Sequence, residues 1–261
     1  MIHIGDKEEH SGMRNDWQYR QVGPQHFFWF PAVLKGAEAE ARWFTPQFWQ
    51  QFGEVRAHGG GRNPVYMVTD GQARLVLRHY YRGGLPGKLI KRRFQWQGLG
   101  EARSVAEFKL LSWLREQQLP VPKPVAAMVE RTWGWGYRAS ILLQRIPASR
   151  NLHERLQQGA LEEDGWYAIG ATIGRFHQQG VFHSDLNCRN ILLQGDTQIW
   201  LIDFDKCERR PAAADWQQQN LQRLLRSCHK EQSRTKNFAF TDEGWQALLA
   251  GYQTVNPIPV G

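Results

Sequence analysis

Short apolar runs separated by turn residues alternate with longer segments of helical periodicity along this chain. In the first half, residues 65–68 and 73–80 predict strands, because each is rich in apolar residues and follows a turn signal. In the second half, short buried strands are predicted at residues 140–143, 191–193 and 199–202. Gly195-Asp196 predicts a hairpin turn between the last two strands.

Helical periodicity is clearest in residues 101–118, where Val105, Phe108 and Leu111 recur at the spacing of one helix face. Pro120 ends that pattern. Further helices are predicted at residues 166–177, 215–227 and 244–252. Strands therefore predominate in the first half of the chain and helices in the second, which indicates an α+β fold.

An aromatic segment at residues 45–53 predicts a short helix of its own. Thr45 suits the N-cap, Pro46 the first helical position and Gly53 the C-terminal cap. Phe48, Trp49 and Phe52 would share one face. That face either packs onto the domain or dips into a membrane interface.

Composition says more about the environment and partners of the protein than about its fold. The net charge is +8 and the sequence pI about 9.6, so polyanionic partners such as nucleic acid, anionic lipid or an acidic substrate are open. Three scattered cysteines show neither a disulfide framework nor a zinc pattern, which favours a reduced cytosolic setting. No apolar run is long enough for a membrane-spanning helix, and no secretory signal is visible.

The chemistry concentrates around two of the buried strands. Asp185 and Asn190 precede the strand at 191–193, and Asp203 follows the strand at 199–202. A hairpin would hold these three oxygen-bearing side chains at neighbouring ends of rigid elements, which suits a hard cation and a proton acceptor. An Asx-capped turn with two solvated aspartates is the structural alternative, and the complete set in this order disfavours it.

The segment His183-Ser184-Asp185-Leu186 with Asn190, followed by Asp203-Phe204, resembles the catalytic loop and metal-binding signature of protein kinases. The resemblance implies a bilobal protein-kinase-like fold. Residues 1–145 would form a small N-terminal lobe with an antiparallel sheet and one helix, and residues 146–261 a larger, mainly helical lobe. Asp185 would accept the proton of the attacking hydroxyl, while Asn190 and Asp203 would hold Mg²⁺ against ATP.

The same resemblance assigns ATP contacts in the first half of the chain. Gly59, Gly60 and Gly61 lie where kinases have a glycine-rich loop, although they do not match its pattern. Arg78 stands at the position of the strand lysine, and Glu107 at that of its helix partner. Arginine binds phosphate bidentately but is not equivalent to lysine.

Several departures point away from protein substrates. Ser184 replaces the arginine of many protein kinases, Asn187 replaces a lysine, and no long activation segment follows Asp203. Asp205 replaces the glycine after Asp-Phe, either as a further metal ligand or as a charge that disfavours the flip of that segment. These features favour a small-molecule or glycolipid kinase without phosphorylation control.

A basic block with interleaved aromatic residues suggests an anionic acceptor. Residues 71–100 contain seven basic and no acidic residues. Such a mixture suits single-stranded nucleic acid or a phospholipid headgroup layer. The candidate acceptor or supporting residues are Arg82, Lys88, Arg92 and, beside the catalytic loop, Arg189.

Three segments, residues 77–85, 183–192 and 202–207, together resemble the 3-deoxy-D-manno-octulosonic acid (Kdo) kinases of lipopolysaccharide core synthesis. That resemblance implies ATP- and Mg²⁺-dependent phosphorylation of the Kdo 4-hydroxyl on an anionic Kdo-lipid A precursor. It implies a peripheral place on the cytoplasmic face of the bacterial inner membrane, with no nucleic acid and no protein partner. A heptose kinase, an aminoglycoside-type phosphotransferase and a catalytically silent anion-binding module are the alternatives.

Overall fold

The computed structural model describes residues 16–33, 38–58, 64–81 and 93–257. Its first half is built on one antiparallel sheet of eight strands with the order β1-β2-β7-β8-β5-β4-β3, and β6 pairs with β8. The strands are β1 (Gln18–Val22), β2 (Gln25–Trp29), β3 (Arg56–His58), β4 (Val65–Thr69), β5 (Arg74–His79), β6 (Phe94–Gln95), β7 (Pro124–Thr132) and β8 (Gly136–Gln144). The strands predicted at 65–68, 73–80 and 140–143 are therefore confirmed as parts of β4, β5 and β8.

Strand β2 is buried on both faces, which explains why periodicity did not predict it. Phe28 packs with one hydrophobic cluster, while Phe27 and Trp29 pack with a second cluster on the other side of the sheet. A strand covered on both faces reads as a continuous apolar run, without the alternation that marks a half-exposed strand.

Helix α2 (Arg103–Glu116) covers one face of the sheet, as the periodicity of residues 101–118 predicts. Val105, Phe108 and Leu111 are at most 1% exposed. The helix ends one turn before Pro120, and Gln118 adopts a φ of +57°. A left-handed residue just beyond the last turn is a common way for a helix to end.

The capping predicted around residues 45–53 is wrong in part. Helix α1 (Pro46–Trp49) ends at Trp49, so Gly53 is not its cap. Thr45 occupies the N-cap position, but its hydroxyl donates to the Arg42 carbonyl at 2.7 Å instead of capping α1. A short 3₁₀ helix, Ala41–Phe44, directly precedes α1, and Arg42 within it supplies that carbonyl. Trp49 is buried against the domain, whereas Phe52 is 44% exposed.

The second half of the chain is mainly helical, and its helices include the predicted 166–177, 215–227 and 244–252. Its elements are β9 (Ser149–Asn151), α3 (Leu152–Gln157), α4 (Glu163–Gln178), β10 (Val181–Phe182), β11 (Ile191–Gln194), β12 (Gln198–Leu201), β13 (Glu208–Arg209), α5 (Ala214–Arg234) and α6 (Asp242–Val255). The predicted hairpin is β11–β12, with Gly195 at a φ of +66° in its turn. The eight-stranded sheet ends at Gln144, and the lobe boundary at 145 stays a prediction.

Helices α4 and α6 approach each other closely because glycines line their contact. A β-carbon on Gly170 would collide with the Leu248 carbonyl, and one on Gly251 with the Tyr167 carbonyl. Ile169 and Phe176 of α4 fill the adjoining core. Within the described part of the chain, no helix has both the length and the apolar character to cross a bilayer.

Candidate active site

His183 anchors the loop between β10 and β11 from inside the protein. Its Nδ1 accepts a hydrogen bond from the Asp185 backbone N–H at 3.2 Å, and its Nε2 donates to the Ile202 carbonyl at 3.0 Å. Burial lowers the pKa of His183, so the ring is neutral with its proton on Nε2. Phe204 packs edge-on against it, with ring centroids 5.0 Å apart. His183 thereby joins this loop to the segment that follows β12.

Asn220 on helix α5 holds the same loop from the opposite side. Its Oδ1 accepts from the His183 backbone N–H at 3.2 Å, and its Nδ2 donates to the His183 carbonyl at 3.0 Å. Asn220 is 2% exposed, and both ends of its amide are therefore matched by backbone groups. This pairing fixes the start of the loop on α5.

Asp185 presents its carboxylate to solvent while its backbone is held. The side-chain amides of Asn187 and Asn190 donate to the Asp185 carbonyl at 3.0 and 2.9 Å. The Asp185 side chain is 50% exposed and lies 2.5 Å from an Arg223 guanidinium nitrogen. A fixed backbone with an accessible carboxylate is the arrangement that a general base requires.

Asn190 and Asp203 lie at neighbouring strand ends. The N–H of Ile202, next to Asp203, donates to the Asn190 carbonyl at 3.0 Å. Asp203 has a φ of +65°, an uncommon conformation for an aspartate. Among the described residues, no three His, Cys, Asp or Glu side chains form a metal-binding group. One carboxylate and one amide oxygen nevertheless fit Mg²⁺, which takes one or two carboxylates and completes its shell with phosphate and water.

Arg78 on β5 connects the sheet to this site. Its guanidinium forms ion pairs with Glu107 of α2 and with Asp203, and it lies over the Tyr80 ring at 4.9 Å. Burial opposes the charge of Arg78, but Glu107, Tyr80 and Asp203 outweigh it and raise the pKa of Arg78 well above its usual value. Arg78 Nε is buried and has no hydrogen-bond partner among the described residues. An orphaned donor beside Asp203 fits a site for phosphate oxygens.

Asp205 is bound by Arg103, the first residue of α2. Arg103 Nε donates to one carboxylate oxygen of Asp205 at 2.7 Å, and a terminal nitrogen contacts the other. Both side chains are only 19% exposed. Because Arg103 occupies both carboxylate oxygens, Asp205 ties α2 to the segment after Asp203. Neither interpretation of Asp205 from the sequence included this ion pair with Arg103.

A cavity of about 400 Å³ opens beside Asp185, and Arg189 forms part of its wall. Arg189 is paired with Glu231 at 2.9 Å, and Glu231 also lies 3.0 Å from His153 Nε2. The lining residues are Asp185, Asn187, Arg189, Arg223, Arg226, Ser227, Lys230 and Glu231. Basic side chains outnumber acidic ones in this wall, so the cavity suits an anionic ligand.

The structure brings together some of the predicted site residues and does not describe others. Arg78 directly contacts both Glu107 and Asp203, and the Asn190 side chain is joined to Asp185 through the Asp185 carbonyl. The remaining candidates, Gly59, Gly60, Gly61, Arg82, Lys88 and Arg92, lie outside the described residues.

Three contacting residues were missed by the motif reasoning: Arg103, Asn220 and Arg223. A signal was present for α5, because residues 223, 226, 227 and 230 are polar or basic at helical spacing and share one helix face. No sequence signal pointed to Arg103, because the partial burial of Asp205, which requires a partner, is seen only in the structure. The signal on α5 does not state which distant residue makes the contact.

Comparison with known proteins identifies the family. A model of the lipopolysaccharide kinase (Kdo/WaaP) family matches residues 46–252. The chain belongs to this family. The matched range includes Arg78, Glu107, the loop at 183–190 and Asp203, so it contains the whole contact network described above.

Curated relatives cover nearly the full length of the chain. The 3-deoxy-D-manno-octulosonic acid kinase of Photobacterium damsela subsp. piscicida is 41% identical over 231 residues, which are 88% of this chain and 95% of that protein. The kinase of the same name from Actinobacillus succinogenes is 38% identical over 239 residues, covering 89% of this chain and 99% of that protein.

A solved structure confirms the fold class. WaaP in complex with acyl carrier protein covers 86% of both chains with a TM-score of 0.54 at 15% identity. At that identity the likeness concerns the fold alone, which is the α+β protein-kinase-like fold predicted from the sequence. WaaP has a protein partner in that structure, and the expectation that the present chain needs none stays a prediction.

Proposed function

We propose that this protein is a Kdo kinase that transfers the γ-phosphoryl group of ATP to the 4-hydroxyl of Kdo on the Kdo-bearing lipid A precursor. The observation that carries the proposal is 41% identity, over 95% of its length, to a 3-deoxy-D-manno-octulosonic acid kinase. The heptose kinase and the silent module are not favoured, since the relatives carry the Kdo kinase name and Arg78 forms ion pairs with both Glu107 and Asp203.

Asp185 acts as the proton acceptor for the sugar hydroxyl in this proposal. Its carboxylate is half exposed at the wall of the cavity, and its backbone is held by Asn187 and Asn190. Arg223 orients the carboxylate from α5. The hydroxyl would bind within hydrogen-bond distance of Asp185, where removal of its proton accompanies attack on the phosphorus.

Arg78, Asn190 and Asp203 receive the triphosphate end of ATP. Asn190 and Asp203 would hold Mg²⁺, which when bound neutralises part of the phosphate charge. Arg78 keeps its guanidinium beside Asp203 through the buried carboxylate of Glu107 and offers further donors to phosphate oxygens. The phosphate contacts predicted for Gly59, Gly60 and Gly61, which lie outside the described residues, belong to the same proposal.

A peripheral position at the cytoplasmic face of the inner membrane follows from the acceptor that we propose. The acceptor carries acyl chains and anionic groups, and a chain with net charge +8 is attracted to an anionic leaflet. ATP, the other substrate, is a cytoplasmic metabolite.

The test is incubation of the purified protein with ATP, Mg²⁺ and Kdo-lipid A precursor, followed by mass spectrometry of the lipid. We expect a gain of one phosphate on the Kdo residue and none without Mg²⁺. Parallel reactions with a heptose-bearing core and with an aminoglycoside test the alternatives. Transfer only to one of those acceptors, or ATP binding without transfer to any of them, would contradict the proposal.

A further inference from the structure

We propose that Arg226 and Lys230 of α5 bind the carboxylate of a sugar-acid acceptor, beside the hydroxyl that Asp185 activates. The proposal rests on the kinase function above and assigns the acceptor side of the site. It adds helix α5 to the acceptor contacts predicted for Arg82, Lys88 and Arg92, which lie outside the described residues.

Helix periodicity places the two cations on the cavity side of α5. Arg223, Arg226 and Lys230 are separated by three and four residues, so they lie on one face, and all three line the cavity. Along the helix axis, Arg226 and Lys230 lie about 5 and 10 Å beyond Arg223, which contacts Asp185. The rise of about 5 Å between Arg223 and Arg226 matches the distance between two substituents of a single sugar ring, and the long side chain of Lys230 lies one further turn along the helix.

The other charges in the cavity wall are already occupied. Arg223 is paired with Asp185, while Arg189 and Glu231 are paired with each other. Arg226 and Lys230 form no ion pair with any described residue. They are therefore the cations in this wall that are available to an anion.

The chemistry favours a carboxylate close to the reacting hydroxyl. A guanidinium matches a carboxylate with two parallel hydrogen bonds, and an ammonium adds a third donor. A neutral sugar would leave Arg226 and Lys230 unmatched, so this wall discriminates against acceptors without an acidic group.

The experiment compares Arg226→Gln, Lys230→Gln and the double variant with Arg234→Gln. Arg234 is exposed on the same helix, loses the same charge and does not line the cavity. We expect the KM for Kdo-lipid A precursor to rise roughly tenfold in each single variant and further in the double variant. The KM for ATP should stay at the wild-type value, and Arg234→Gln should leave both constants unchanged.

A precursor whose Kdo carboxylate has been converted to an amide identifies the anion. If the carboxylate is the ligand, wild type loses as much affinity for the amide as Arg226→Gln loses for the native precursor, and the variant loses little more. Equal additional losses for both precursors would assign the cations to lipid phosphates and overturn the proposal. Unchanged KM values in all variants would also overturn it, whereas absence of transfer by wild type would instead contradict the proposed function.

A separate observation, two exposed tryptophans, points to the surface that meets the membrane. We infer that the tip of the β7–β8 hairpin inserts into an anionic bilayer interface through Trp133 and Trp135. They are 93% and 80% exposed, the highest values among the large hydrophobic residues that the structure describes. Gly134 between them has a φ of +71°, so the tip is a tight convex turn.

The surroundings of this tip favour lipid over a protein groove. Arg93 binds the Trp133 carbonyl, and Arg131 and Arg138 flank the turn. Tryptophan rings with arginine neighbours are typical of the headgroup layer of a membrane. The neighbouring Tyr137 hydroxyl accepts from the backbone N–H of Arg103, so the tip is connected to the helix that binds Asp205.

Sedimentation with lipid vesicles tests this surface without requiring catalysis. Trp133→Ser/Trp135→Ser should bind vesicles containing phosphatidylglycerol at least tenfold more weakly than wild type, while its activity on detergent-dispersed acceptor is kept. Tyr167→Ser, an exposed aromatic residue on α4, is the control and should bind like wild type. Unchanged vesicle binding by the double variant would overturn the inference, as would a defect confined to binding of an acidic carrier protein.

Discussion

Arg78 is the residue at which this chain departs most from the protein-kinase pattern, and its contacts explain how an arginine works there. A lysine offers one ammonium group, whereas the guanidinium reaches Glu107, Asp203 and the Tyr80 ring simultaneously. Glu107 is 2% exposed, and burial raises its pKa, with Arg78 as the largest opposing influence. The buried carboxylate and the arginine therefore depend on each other.

Replacing Arg78 with lysine should lower kcat/KM by about 10- to 100-fold, because one ammonium cannot pair with Glu107 and Asp203 in the same geometry. Steady-state kinetics with varied ATP measure the effect, which should include a higher KM for ATP. The conservative lysine keeps the charge, so thermal unfolding near the wild-type temperature would separate this loss from misfolding. An Arg78→Lys enzyme with wild-type kinetics would refute the assigned phosphate contact.

The carboxylate of Asp185 supports a sharper prediction. Asp185→Ala should reduce kcat by about 10²- to 10⁴-fold, the usual contribution of a general base. ATP affinity should be nearly intact, because Asp185 contacts α5 and not the Arg78 network. Calorimetric titration of ATP together with a turnover assay tests both parts. Near-normal phosphate transfer by a folded Asp185→Ala protein would remove Asp185 from the mechanism.

The sequence predicts those candidate site residues whose positions are set by neighbouring elements along the chain. Asp185, Asn190 and Asp203 follow from their offsets around one hairpin, which two strands and one turn fix. Arg223 and Asn220 come from a helix at least 30 positions after the loop at 183–190, and no local pattern specifies which of its faces meets that loop. Motifs therefore predicted the candidate reacting groups, whereas the groups that contact them needed the fold.

At the scale of elements, helix α2 is held at two points that both involve the site. Glu107 binds Arg78 from the middle of the helix, and Arg103 binds Asp205 from its start. The helix is also fixed by its apolar face against the sheet. Two charged attachments and a buried face leave α2 little freedom to move away from Arg78.

The Arg103–Asp205 contact should be measurable by a double-mutant cycle. Arg103→Ala and Asp205→Ala should each lower both the free energy of unfolding, by about 1–3 kcal/mol, and the turnover number, because α2 carries Glu107. The double variant should lose less than the sum, with a coupling free energy of at least about 1 kcal/mol. Chemical denaturation supplies the free energies. Strict additivity would show that the two side chains act separately.

Elements with one exposed face, such as α2 and β5, were predicted from periodicity, and residues 140–143 of β8 were predicted from a short buried apolar run. Strands β1 and β2 were not predicted. Strand β1 is exposed along its length, and β2 is buried on both faces. A pattern of alternation requires one side in water and one in the core, so strands at these two extremes give no periodic signal.

At the scale of the whole molecule, buried histidines contribute to the dependence of stability on pH. His177 is 1% exposed, and its ring contacts the Tyr252 hydroxyl at 2.8 Å and Asn220 Oδ1 at 3.3 Å. Burial lowers the pKa of His177 from 6.5 to about 4. The unfolded chain therefore binds a proton at a higher pH than the folded protein does.

Stability should consequently fall as the pH decreases below 6.5, because protonation then favours the unfolded state. Between pH 7 and pH 5, His177 alone should remove about 2 kcal/mol. Urea unfolding across this range measures the slope. His177→Gln should make it shallower without abolishing it, since burial also lowers the pKa of His183. An unchanged slope in the variant would show that His177 does not titrate in this way.

The buried and solvent sides of helix α5 have different roles, and this difference bears on how the acceptor preference of such enzymes changes. Asn220, on its buried side, holds the catalytic loop, while Arg226 and Lys230 project from its solvent side. Substitutions at Arg226 and Lys230 would alter which sugar is accepted while keeping the contacts of Asn220 and Arg223 with the loop. New acceptor preferences would then arise through single surface changes, and positions 226 and 230 are the ones to randomise when redirecting this fold to another acidic sugar.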